Sequence, residues 1–144
     1  MIIIAPYAQK LRTGGVNPKN YPLTYWEELI KLINEPIVQV GITGEKQLVD
    51  DFRTNLPISE LKALLKECRT WIGVDSFFQH LGWIENKKGI VLWGPSDPLI
   101  FGHPENVNLL KDRSYLAPNQ FLWWEQTECN DERFVEPNEV IKYL

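Results

Sequence analysis

The sequence predicts an α/β fold in which a mostly parallel sheet carries helices on both faces, giving three layers. Three observations predict it. Strand-like and helix-like stretches alternate along the chain. Ile2–Ala5 and Trp71–Val74 are unbroken apolar runs, as strands covered on both faces require. Breaker clusters, Asp75-Ser76 and Gly94-Pro95-Ser96-Asp97-Pro98, stand where such strands would end. The 144 residues suffice for one core, so residues 1–144 are read as a single domain.

The elements follow in order. A first buried strand, Ile2 to Ala5, begins almost at Met1, and a polar loop runs from Gln9 to Pro22. Thr24 or a neighbour opens a helix through about Ile33. Its apolar positions Tyr25, Trp26, Leu29, Ile30, Leu32 and Ile33 fit one helical face. Ile37–Val40 is the second strand, Gly41–Glu45 its exit loop, and Asp51–Thr54 a short third strand. Ser59 is read as the cap of the next helix, with Glu60 just inside it. Leu61, Leu64 and Leu65 form its inner face, and Arg69 lies near its end. After the Trp71–Val74 strand, Asp75 and Ser76 offer caps for a helix from about Phe77 to Glu85. Gly89–Trp93 is another strand, Val107–Leu110 a weaker one, and Pro137 starts a closing helix to Leu144. Residues 118 to 134 are polar and aromatic and receive no assignment.

Bulk properties narrow the function. The chain is 44% hydrophobic and 24% charged, ordinary for a globular protein. A net charge of −4 argues against binding along a nucleic-acid backbone but permits a local basic pocket for one nucleotide. Cys68 and Cys129 belong to no CxxC or Cys/His zinc spacing. A reduced intracellular compartment is the simpler reading, with one disulfide left open. The apolar start, Met1–Ala5, is too short for a signal peptide and ends at Pro6. No stretch reaches the roughly 20 apolar residues of a membrane span, so the expected location is the cytoplasm. No Asp-x-Asp pair calls for a metal, and no cofactor is expected.

In open α/β sheets, ligands bind beyond the carboxyl ends of the strands, and the free amides of a helix start attract anions. The loops at Asp75-Ser76 and at Gly94–Pro98, set side by side, would make a diphosphate site.

Four stretches carry a family resemblance. Lys19-Asn20-Tyr21-Pro22 followed by Trp26-Glu27-Glu28-Leu29 is similar to a Lys-x-Trp-Pro…Trp-x-x-Leu element. Gly41 to Glu45 is similar to a Gly-x-x-x-Glu strand exit. Asp75-Ser76-Phe77-Phe78-Gln79-His80 resembles an Asp-Ser/Thr-Gly-x-x-His loop, and Gly94–Pro98 a Gly-Pro-Thr-x-Pro loop. In this order they resemble the C-terminal, nucleotide-sugar-binding half of the heptosyltransferase-type (family 9) glycosyltransferases, over about residues 1 to 105. The resemblance implies one Rossmann-like half of the type B glycosyltransferase fold.

It also implies roles. The backbone amides of Ser76, Phe77 and Phe78 would hold a phosphate, although an ordinary capped turn would look the same. Asp75 would orient the loop, hold the ligand through a hydrogen bond, or only cap the helix. His80, four residues after Ser76, would donate to a phosphate or sugar hydroxyl, or pack in the core. His103 reads as a loop residue. Lys19 would pair with a diphosphate, with Arg12 and Lys10 as lesser competitors. Glu45 would accept from ribose hydroxyls, or serve as a helix-start acid. Gly94, Ser96 and Asp97 would close the other wall, or only shape a turn. Of Trp83, Trp93, Trp123 and Trp124, three are expected in the core or an interface and one on a stacking face.

Two departures accompany the resemblance. The family glycine after Asp-Ser is Phe77 here, which brings a ring to the mouth of the site. The family's acceptor-binding half has no counterpart in the sequence, so a complete enzyme would need a partner subunit or a second copy. Two functions follow: transfer of a sugar from a nucleotide diphosphate to an acceptor hydroxyl, or capture of a nucleotide-derived ligand without turnover. A remnant acting through an interface is a third.

Overall fold

A computed structural model of the chain describes residues 1–121 and 123–144. Its strands are β1 (Ile2–Ala5), β2 (Ile37–Gly41), β3 (Asp51–Thr54), β4 (Thr70–Val74), β5 (Ile90–Trp93) and β6 (Val107–Leu110). They form a six-stranded sheet in the order β3-β2-β1-β4-β5-β6, and every pairing in it is parallel. This is the doubly wound order of mononucleotide-binding sheets, and it reverses direction between β1 and β4.

The pleat explains the apolar runs. Ile2 and Ile4 face one side of the sheet, with Trp26 and Leu29 of helix α1 (Leu23–Leu32) and Val140 of α5 (Pro137–Val140). Ile3 and Ala5 face the other side, with Leu64 and Leu65 of α2 (Ile58–Glu67) and Phe78 and Leu81 of α3 (Phe77–Ile84). Both faces are covered, so β1 has no polar position to alternate with. Trp71 shows how tightly the second face is packed. A Cβ on Gly82 would stand 2.7 Å from its indole, and one on Gly89 would overlap it. The indole Nε1 donates to Lys87 O at 2.8 Å.

Several expected boundaries move. α2 begins at Ile58 with Pro57 as its cap residue, and Ser59 lies inside the first turn. Pro57 brings a preset φ of −62°, and its carbonyl accepts from Glu60 N and Leu61 N. Within the Gly94–Pro98 loop and just past it, Pro98–Phe101 forms a short helix, α4, whose start is capped by Asp97 accepting from Leu99 N at 2.9 Å. The closing helix is shorter than expected, with α5 passing into a 3-10 turn at Ile141–Tyr143. The unassigned stretch holds 3-10 turns at Trp124–Gln126 and Asp131–Arg133, and Leu122 lies outside the described residues. Cys68 is buried, Cys129 is exposed, and both are free thiols. No helix among the described residues is long and apolar enough to cross a membrane.

Candidate functional site

A cavity of about 1140 Å³ opens beyond the carboxyl ends of β1, β2 and β4, where the strand order reverses. Lys19, Glu45, Asp75, Ser76, Phe77, Phe78 and His80 all line it. The loop after β1 brings in Lys19, and asparagine side chains set that loop. Asn17 Oδ1 accepts from Lys19 N at 3.0 Å, Asn17 Nδ2 donates to Gln9 O at 2.8 Å, and Asn20 Oδ1 accepts from Ala8 N at 2.7 Å. Lys19 Nζ then lies 3.5 Å from Asp75 Oδ2, with both side chains mostly buried.

The start of α3 is open. Ser76 holds the cap position, yet among the described residues no side chain makes a capping hydrogen bond there. Asp75 is engaged elsewhere: besides Lys19, it accepts from Gln79 Nε2 at 2.8 Å. The residues that open α3, Ser76, Phe77 and Phe78, thus line the cavity together with Lys19, a setting that favours an anion by about 0.3–1 kcal/mol per charge when exposed and up to about 2 when partly buried. Phe77 takes an ordinary helical conformation and stands 57% exposed, while Phe78 packs edge-on against Trp71.

Glu45 forms the opposite wall. Its Oε2 accepts from Ile42 N at 3.0 Å and lies directly over Gly41, where any Cβ would overlap it. Burial raises its pKa. Tyr7, also on the wall, has its hydroxyl pushed up to about 12 by burial and then by the charge of Glu45. His80 Nδ1 is 2.7 Å from His103 Nε2, and Trp83 stacks on His103 with ring centroids 4.6 Å apart. Burial, then His103 and Lys19, hold the His80 pKa below its ordinary value, and Asp75 opposes them.

Gly94, Ser96 and Asp97 do not line the cavity. Gly94 lies under the Phe134 ring, and Ser96 is fully buried with its hydroxyl unpartnered among the described residues. Asp97 caps α4 and grips Arg113 at 3.1 and 2.7 Å. Their loop reaches the cavity through Gln120, whose Oε1 accepts from Asp97 N and whose Nε2 donates to Pro95 O. Of the four tryptophans weighed for stacking, only Trp93 is enclosed in the core. Trp83 and Trp123 are exposed, and Trp123 and Trp124 join the cavity wall. The sequence reading ranked Arg12 low and passed over Gln120, Phe121 and Glu125, which all line the cavity. A basic residue in a loop leaving a buried strand was the available signal for Arg12. No local pattern pointed to the others.

The family model for glycosyltransferase family 9 (heptosyltransferase) matches residues 1–119. The chain belongs to glycosyltransferase family 9. Lipopolysaccharide heptosyltransferase 1 of Salmonella typhimurium (strain LT2) is 26% identical over 115 residues, which cover 70% of this chain and 36% of that protein. The structure of E. coli ADP-heptose lipopolysaccharide heptosyltransferase II superposes with a TM-score of 0.66 at 17% identity, covering 99% of this chain and 44% of the other. E. coli heptosyltransferase WaaC with ADP gives a TM-score of 0.65 at 14% identity, covering 99% and 42%. These likenesses show a shared α/β fold. This family 9 chain spans less than half the length of each of these relatives.

Proposed function

We propose that this chain is the C-terminal, nucleotide-sugar-binding half of a family 9 glycosyltransferase and binds a nucleotide diphosphate sugar of the ADP-heptose type. One observation carries the reading: the uncapped start of α3 and Lys19 share a wall of the cavity at the point where the strand order reverses. The amides of Ser76, Phe77 and Phe78 and the Lys19 ammonium hold the diphosphate, and Glu45 accepts from the ribose hydroxyls. Gly94, Ser96 and Asp97 support the site from behind, through Gln120. The names of two solved relatives, which carry ADP-heptose and ADP, agree with an adenine nucleotide.

In transfer, negative charge grows on the departing diphosphate, and preorganised amides and a lysine stabilise it without reorganising. Transfer takes place where this half meets an acceptor-binding half, in the cytoplasm. Phe77 favours a second reading, capture without turnover, because its ring occupies the mouth where the family pattern has glycine.

Melting the purified protein with ADP, GDP and UDP tests the binding. ADP should raise the melting temperature in a concentration-dependent way. No rise with any of the three removes the nucleotide reading. Mass-tagged ADP-heptose with a lipopolysaccharide-core acceptor then separates transfer from capture.

A further inference from the structure

Three contacts tie the loop after β1 to the residues that follow Gln120, and all lie on the cavity wall. The Arg12 guanidinium lies over the Trp123 ring, 3.7 Å from its centroid. Arg12 Nε is 3.4 Å from Glu125 Oε1. Lys19 Nζ stands 5.5 Å from the centroid of the adjacent ring, Trp124. The cation that faces the open start of α3 and the cation at the rim are thus held on neighbouring residues.

The Arg12 contacts are of a kind that yields easily. A separation of 3.4 Å is long beside the roughly 2.7–2.9 Å of a strong charge-assisted bond. The arginine side chain is 68% exposed, and pairs of that kind add little stability. Glu125 nonetheless remains a true competitor for the guanidinium, because its own backbone amide and Arg12 hold its carboxyl below the usual range. A diphosphate carries more negative charge than one carboxylate, and its oxygens match the guanidinium fork in two-point geometry.

We propose that Arg12 is a second phosphate-binding cation of this cavity, stored on Trp123 and Glu125, and that a nucleoside diphosphate entering beside Lys19 draws it off both. The inference rests on the nucleotide-diphosphate reading above. It makes Glu125 a gatekeeping residue: its carboxylate lowers affinity for every anion and most of all excludes those too weakly charged to displace it. Release of Arg12 also frees the Trp123 ring from its cation, which gives the event an optical signature.

Calorimetric titration of ADP into the wild-type chain, Arg12→Ala and Glu125→Gln tests this. Arg12→Ala should weaken ADP binding about tenfold, the loss of one charge-assisted contact. Glu125→Gln should tighten it severalfold, an outcome that a purely bracing ion pair cannot give. ADP should also change the tryptophan emission of the wild-type chain, and that change should shrink in Trp123→Phe. Unchanged ADP affinity in Arg12→Ala, or unchanged or weaker binding in Glu125→Gln, overturns the proposal while leaving the nucleotide site standing. No ADP binding by the wild-type chain removes the site and the proposal together. Should Arg12→Ala fail to melt cooperatively, Glu125→Gln decides alone: tighter binding supports the stored cation, and unchanged binding overturns it.

Discussion

Lys19 and Asp75 form an ion pair, 3.5 Å apart, between the loops that leave two neighbouring strands. β1 and β4 pair from Ile2–Thr70 to Ala5–Gly73, so their exit loops start level with each other. The pair closes the reversal point of the sheet and sets a lysine beside the open start of α3. Lys19→Ala therefore removes a phosphate partner and leaves a carboxylate that is only 9% exposed with Gln79 as its remaining partner. ADP binding should weaken about tenfold or more, and urea unfolding should lose about 1–3 kcal/mol. Wild-type ADP affinity in this variant would remove Lys19 from the site.

His80 gives the chain a pH dependence with a definite sign. Its folded pKa is lowered from 6.5, chiefly by burial, so the unfolded chain takes up the proton first as pH falls. The stability tied to neutral His80 is complete above the unfolded value and declines as pH drops through it toward the folded value. Melting curves from about pH 8 to about pH 5 should show a fall in stability that is shallower in His80→Asn. Glu45 works the other way: with its pKa raised by burial, its contribution is complete at low pH and lost as pH rises through the folded value. The comparison of wild type with His80→Asn isolates the histidine, and identical slopes would show that folding leaves its proton affinity unchanged.

Gly41 holds open the place that the Glu45 carboxylate occupies. Gly41→Ala meets the flexible end of Glu45 and only grazes Phe52, at 3.3 Å. The cost should therefore fall on ligand binding rather than on folding. Calorimetry should find ADP affinity reduced in Gly41→Ala and in Glu45→Ala, with the double variant no worse than Glu45→Ala. Additive losses would separate the two residues.

Gly89→Ala is the opposite case, because the Cβ meets the Trp71 indole, a rigid and fully buried ring. Overpacking of this kind costs about 1–3 kcal/mol, readable by urea unfolding. Adding Trp71→Leu should return part of that loss, since the smaller side chain vacates the contact. A double variant no more stable than the sum of its single changes would show that the ring is not the obstacle.

The strands and the order of the site loops were legible because their signals are local. Ile2–Ala5 and Ile90–Trp93 are apolar throughout, and Asp75-Ser76 is a breaker between strand and helix. The α4 turn has a local signal too, since Asp97-Pro98 pairs a capping acid with a proline at the first helical position. The far wall was not legible. Trp123 and Glu125 take their places through Arg12, more than a hundred residues away in sequence, and Gln120 through the backbone of Pro95 and Asp97. His103 has no motif, and only the fold brings it against His80. Ser59 carries the side chain of a helix cap, but Pro57, with its φ already preset, starts the helix two positions earlier.

Phe134 lies beyond the stretch that the family model matches, yet its ring rests on Gly94 and meets Tyr21 edge-on, while the Tyr21 hydroxyl donates to Val135 O at 2.7 Å. Recognisable ancestry and structural self-sufficiency therefore end at different places in this chain. A fragment trimmed to the portion the family model matches would keep every motif and lose the keystone above the fifth strand, so the tail has to be counted as interior rather than appendage.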